Sequence, residues 1–221
     1  TYTGDNASSA TLGHGLGVVP AMIIVKMRNG ANHWAVYHQS LGNTKSAYLS
    51  LTQGPDTNIS FWNNTSPTSS IFTIGTDNIV NASNTYVAYC FAEVEGYSKF
   101  GLYTGNSSDD GAFVFLGFKP AWVMIKSSSA AGDFTSWTIY DNKRKTFNDD
   151  LGDNSNPLYA NKAAPEGERG NGTTDISTNG NSLDFLSNGF KCRDNANEIN
   201  QTNTYIYMAF AEQPFKYANA E

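Results

Sequence analysis

A chain of 221 residues with a net charge of −6 and no cluster of Lys and Arg lacks the electrostatic footprint of a nucleic-acid binder. Hydrophobic residues make up 39% of it, aromatic ones 13% and charged ones only 15%, which excludes disorder driven by charge; the polar load falls on Asn, Ser, Thr and Gly, the residues of turns. No apolar run reaches the roughly 18 residues of a membrane span, and Thr1-Tyr2-Thr3-Gly4 is not a signal peptide, so a chain without an initiating Met reads as a processed product or the C-terminal piece of something longer.

In chain order, residues 1–6 give a short strand and a Gly-Asp-Asn turn. Gly13-His14-Gly15-Leu16-Gly17 has glycine spacing reminiscent of a phosphate loop, but such a loop follows a strand and opens a helix, whereas this one leads into the β-branched strand 21–27. Arg28-Asn29-Gly30 reads as a tight hairpin turn, since Asn-Gly supplies the positive φ angles a two-residue loop needs. It leads into strand 34–38, where alternation sets Trp34 and Val36 against Tyr37; both Trp34 and its later counterpart Trp137 are assigned to the core. Strands are expected at 47–52, 59–62 and 71–74. Residues 86–93 form a strand apolar on both faces, hence central, whose small-residue face (Ala88, Cys90, Ala92) leaves room for a bulky neighbour such as Trp34. Further strands are expected at 103–106, 113–115, 122–126, 137–140, near Leu158, at 185–193 with a bend at Asn188-Gly189, and at 205–212. No window holds helical periodicity over the roughly ten residues a helix needs.

These elements repeat. Asn84-Thr85-Tyr86 with Phe91-Ala92-Glu93 returns as Asn203-Thr204-Tyr205 with Phe210-Ala211-Glu212, and Tyr2-Thr3-Gly4 returns as Tyr103-Thr104-Gly105. Pro20-Ala21 and Lys26 match Pro120-Ala121 and Lys126, and Trp34 to Tyr37 match Trp137 to Tyr140. Markers recurring in one order indicate a tandem duplication. About seven short strands per copy predict an all-β protein of tandem β-sandwiches, jelly-roll or lectin-like, with pseudo-equivalent halves at 1–100 and 101–221, or one larger lectin-like sandwich with internal pseudo-symmetry. Tyr37 and Tyr86 lie 49 positions apart, Tyr140 and Tyr205 65 apart, so the second copy carries about 16 extra residues, placed in a loop at about 161–182. What both copies keep is most simply explained by folding; what one copy alone has is free for function.

On that criterion Trp62, Asn63 and Asn64 in the first copy offer a stacking ring beside amide groups, the combination a sugar needs. Tyr159, Glu166, Arg169, Asn171 and Asp175 offer the same on the inserted loop. An edge aromatic and a solvated loop are the plainer readings of each residue alone. Asp149, Asp150, Asp153 and Asn154 form an oxygen-rich cluster of the kind that holds a structural Ca²⁺, without EF-hand spacing, so a surface turn is the plainer reading; no other cofactor is expected. Glu93 and Glu95, two apart on a strand, have the spacing of a glycosidase pair, but Glu93 recurs as Glu212 while Glu95 is replaced by Pro214. His14, His33 and His38 lack metal-ligand spacing and default to solvated loop or strand-end positions. Cys90 and Cys192 have no cysteine counterparts and read as buried free thiols, with a bridge between the copies as the alternative.

The Tyr-Thr-Gly turns, the two Pro-to-Lys strands, Trp34 to Tyr37, Trp137 to Arg144, Ser187-Asn188-Gly189-Phe190 and the two Asn-Thr-Tyr strands resemble a family of unknown function found in structural and tail-fibre-like proteins of marine bacteriophages, cyanophages included. The resemblance spans nearly all the chain and implies a setting without catalytic residues. The chain is then expected to be a non-enzymatic virion surface protein, a tail-fibre or receptor-binding module contacting host-surface glycan. The alternative is a structural virion component (capsid decoration, fibre or tail subunit), and a polysaccharide depolymerase ranks third. The implied partners are host glycan or other virion subunits, with a homo-oligomer, trimeric as for many fibres, among them.

Overall fold

The computed structural model describes residues 1–130, 135–144, 157–165 and 182–213. The chain divides into two compact units, Thr1–Glu93 and Val94–Glu221. The division falls before residue 100 because strand β9 (Ser98–Thr104) belongs whole to the second unit, where it pairs with β16 (Thr204–Ala211).

The first unit comprises β1 (Tyr2–Thr3), β2 (Ala10–Gly13), β3 (Met22–Met27), β4 (Trp34–His38), β5 (Lys45–Tyr48), β6 (Asp56–Thr57), a helical turn α1 (Ile59–Trp62), β7 (Ile71–Ile74) and β8 (Thr85–Phe91). A six-stranded antiparallel sheet, in the order β1-β8-β3-β4-β5-β6, lies against the β2-β7 pair. Period-two alternation explains the core between them: Ile23, Val25, Ala35, Tyr37 and Tyr86 come from the large sheet, Phe72 and Ile74 from the small one, and Phe61 and Trp62 from α1.

Three local expectations are corrected here. Residues 59–62 are helical: the Asn58 side chain accepts from the Ser60 N–H (2.9 Å), and Asn63 closes the turn in the left-handed region with its N–H on the Ile59 carbonyl (2.9 Å). Phe61 and Trp62 are both buried on the core side, which a strand, sending neighbours to opposite faces, could not achieve. The β3–β4 connection is a loop from Arg28 to His33, and neither Asn29 nor Gly30 has positive φ, so it is no two-residue hairpin. Trp34 is only half-buried, with the Lys26 amine 5.8 Å from its ring centroid, because Ala35 and Tyr37 take the core face of β4; Trp137 is buried as expected.

The second unit holds β9, β10 (Phe113–Phe115), β11 (Pro120–Ser127), β12 (Thr138–Asp141), β13 (Leu158–Tyr159), β14 (Leu183–Leu186), β15 (Gly189–Cys192) and β16. Its five-stranded sheet runs β9-β16-β11-β12-β13, and a three-stranded sheet runs β10-β15-β14. Strand by strand, β1-β8-β3-β4-β5 and β9-β16-β11-β12-β13 follow one order, and β2-β7 answers to β10-β15. The units differ before the last small-sheet strand, where the first has α1 and the second has β14. Strand β8, expected to be central, lies between β3 and β1, although β1 covers it at two residues only, whereas β16 of the second unit is flanked along its length by β11 and β9.

Candidate functional site

The features both units share are clamps that fix the first strand of each. Tyr2 stacks on Tyr86 with centroids 5.1 Å apart, and Tyr103 stacks on Tyr205 at the same distance. The Tyr2 hydroxyl donates to the Val80 carbonyl (2.6 Å), and that of Tyr103 to the Ile199 carbonyl (2.6 Å). Buried Asn81 accepts the Asp5 N–H (2.9 Å) and donates to the Ala7 carbonyl (3.1 Å); buried Asn200 accepts the Asn106 N–H (3.2 Å) and donates to the Ser108 carbonyl (2.7 Å). Gly4 and Gly105 are required, since a Cβ on either would lie 2.0 Å from the carbonyl oxygen of Ala82 or Gln201. The Tyr and Gly of this device were legible as repeat markers. Asn81 and Asn200 were not singled out, although each stands three residues before its Asn-Thr-Tyr marker.

Against that common frame, the first unit has a cavity of about 240 Å³ lined by Thr1, Tyr2, Leu12, Gly13, His14, Phe72, Ala88 and Cys90. Strand pairing identifies what the second unit places there. Tyr2 and Phe72 answer to Tyr103 and Phe190, Leu12 to Val114, and Ala88 and Cys90 to Tyr207 and Ala209. Continuing from Leu12 and Val114, His14 answers to Leu116, which is buried in the second unit's core. Tyr207 fills the equivalent space, 5.7 Å from the Phe190 centroid and 6.4 Å from that of Tyr103. The small face of β8 therefore opens onto this cavity and not onto Trp34, which shares the other face of the sheet with Val36.

Within the cavity, His14 is held through both ring nitrogens: Nε2 lies 3.1 Å from the Thr68 carbonyl oxygen, and Nδ1 accepts the Leu16 N–H at 3.2 Å. That pattern suits the neutral imidazole with its proton on Nε2. Cys90 is a free thiol, and burial pushes its pKa up to about 11, so it is a poor nucleophile at neutral pH. Cys192 is also free; burial pushes it up to about 12, with its sulfur 3.8 Å from the Tyr103 hydroxyl.

The residues singled out from sequence separate widely. Trp62 is 2% exposed and packs edge to face on Tyr37 (5.8 Å), so its ring belongs to the core and offers no stacking surface to a sugar. Among the described residues its indole N–H has no hydrogen-bond partner. Asn63 and Asn64, both in the left-handed region, remain at the surface; the Asn43 amide donates to the Asn64 carbonyl (2.9 Å) and the Ser66 hydroxyl (3.0 Å), fixing a polar turn. Tyr159 is a buried strand residue paired with Thr138, not a loop residue, with Lys162 over its ring at 5.9 Å. Asn161 ties the start of the inserted stretch by accepting the Trp137 N–H (2.9 Å), and Ser182 ties its end by donating its N–H to Asp194 (2.7 Å). Glu166, Arg169, Asn171 and Asp175 lie outside the described residues, as do Asp149, Asp150, Asp153 and Asn154.

Glu93 follows the end of β8, while Glu95 sits in a turn closed by the Val94–Ser98 bridge, so the two do not share a strand. His38, expected at a solvated position, is buried at the end of β4, and its Nδ1 accepts the Ser40 N–H (3.2 Å). Among the described residues no group of three or more His, Cys, Asp or Glu has a metal-holding arrangement, and no helix is long and apolar enough to cross a membrane.

No curated protein and no solved structure matches the chain. The family model described as a domain of unknown function, DUF7483, matches residues 1–214, and the chain belongs to that family.

Proposed function

We propose that the chain is a non-enzymatic recognition module displayed on a bacteriophage particle, contacting host-surface glycan through its first unit while the second serves as scaffold. The resemblance to marine-phage structural proteins supplies the setting. The observation that carries the recognition reading is the divergence of two units with one strand order and one set of clamps. The first ends α1 in two consecutive left-handed asparagines with a fixed polar turn and keeps an open concavity, while the second fills the equivalent space. Divergence on a common scaffold is the usual way in which a fold acquires a site.

Binding to a glycan array and to whole bacterial cells tests it. Saturable binding that falls at least tenfold in the Asn63→Gly/Asn64→Gly chain is expected, glycine being chosen because it keeps the left-handed backbone while removing both amides. Binding unaffected by that change, or release of reducing sugar from a polysaccharide by the unmodified chain, would contradict the proposal.

A second reading, a structural subunit contacting other virion proteins, is favoured by the apolar residues left exposed on the loop before β3, Leu16, Val18 and Val19, and on β10, Phe113 and Phe115. Regular oligomers in solution without glycan binding would select it.

A further inference from the structure

The cavity of the first unit lies where the second unit places an aromatic side chain. In the second unit that side chain is Tyr207, seated with Phe190 at 82° and Tyr103 at 43°. The first unit has both partner rings, Tyr2 and Phe72, and Ala88 at the occupant's position. Space left by a missing side chain can seat a free molecule that fits it, and here two rings face it beside polar groups from Thr1 and His14. We propose that this cavity binds a planar six-membered aromatic ring of the size of a tyrosine side chain, seated between Tyr2 and Phe72 with its para substituent over Ala88.

The walls discriminate by chemistry. Two rings offer stacked and edge-to-face contacts, Leu12 adds apolar surface, and His14 has both nitrogens engaged. None of these walls belongs to the Asn63-Asn64 turn, so the ring site stands whether or not the glycan reading holds.

The adjacent edge of β8 bears on what could carry the ring. The Gly4 N–H bonds the Asn84 carbonyl on the β1 side, while Thr85 and Phe91 accept on the β3 side. Antiparallel alternation therefore turns the N–H and C=O of Ala88 and Cys90 away from β3. Among the described residues no strand pairs with that edge, whereas in the second unit Gly101 and Lys99 pair with Tyr207 and Ala209, the counterparts. Gly101 is itself fitted to the filled state, since a Cβ there would lie 2.6 Å from the Tyr207 hydroxyl.

The test is titration of the whole chain with p-cresol, the tyrosine side-chain analogue, followed by NMR at the backbone amides of Leu12, Gly13 and Cys90, which line the cavity and are present in every variant used. Saturable shifts with a dissociation constant on the order of 1 mM are expected for so small a ligand. They should weaken at least tenfold in Ala88→Tyr, where the chain fills its own cavity. A second readout needs no variant: p-cresol should slow alkylation of Cys90 by N-ethylmaleimide with the same concentration dependence. N-acetyl-tyrosine amide separates the two sources of a ring, since tighter binding than p-cresol indicates one borne on an extended backbone and weaker binding a free phenol. No saturable shift and no protection up to the solubility limit, binding that survives Ala88→Tyr, or equal binding of 4-methylcyclohexanol would overturn the proposal.

Discussion

In the second unit Tyr207 occupies the space between Tyr103 and Phe190, and β9 covers the outer edge of β16 over seven residue pairs. In the first unit Ala88 leaves that space open, and β1 covers β8 at two pairs only. The stacked tyrosines, the buried asparagine and the glycine under a carbonyl are alike in both. A device retained twice despite its stringent geometry belongs to folding. The largest difference at the cavity is Ala88 where the second unit has Tyr207, a loss of packing, and packing is what a protein gives up to keep a concave site.

The comparison breaks first at Tyr207. Truncating it to Ala should cost about 3–5 kcal/mol, the range for a large buried ring, whereas Ala88→Tyr should leave stability within about 1 kcal/mol of the parent because the space already exists. Denaturant unfolding of both variants checks this, and equal losses would mean that the two positions are not counterparts. Next come Gly4→Ala and Gly105→Ala, each expected to lose about 3 kcal/mol because a backbone carbonyl cannot step aside as a flexible side chain can. A harmless Gly4→Ala would show that the first clamp is not built like the second. Asn200→Ala should cost about 2 kcal/mol and Asn81→Ala about 1, since Asn200 also donates to the Asp194 carbonyl (2.8 Å) and so strands more buried groups when lost. Trp62→Phe should change stability by less than about 1 kcal/mol, because the lost ring area is offset by removing a buried N–H that has no acceptor.

The smallest effect is in pH. With the Cys90 pKa raised to about 11, the folded chain holds a proton that the unfolded chain releases near pH 8.5. Its contribution to stability is therefore fully present below that pH and is lost as pH climbs through 11. Alkylation of Cys90 at pH 8 should accordingly be far slower than that of free cysteine, with a rate still rising above pH 10, and that of Cys192 slower again.

Most of the strand inventory was readable from residues, because alternation and β-branching act locally and the repeat gave each strand a second witness. The misreadings share one cause. Residues 59–62 alternate as a strand would, and only the flanking Asn58 and Asn63, acting as caps, turn them into a helix that buries Trp62. The Asn29-Gly30 pair carries a hairpin signal that a longer loop overrides. Tyr159 looks like a loop residue until pairing with Thr138 draws it into the sheet. The cavity was half legible: the small-residue face of β8 is plain in the sequence, but which rings wall the space depends on long-range pairing that no local pattern encodes. Ala88 aligned with Tyr207 was the signal that could have located it.

A crystal structure of the Ala88→Tyr chain tests the account most directly. The new ring should lie between Tyr2 and Phe72 as Tyr207 lies between Tyr103 and Phe190, with the β3–β8 register from Met22↔Phe91 to Met27↔Tyr86 unchanged. A ring turned out to solvent, or a β8 displaced to make room for it, would contradict the claim that the first unit keeps open what the second has filled.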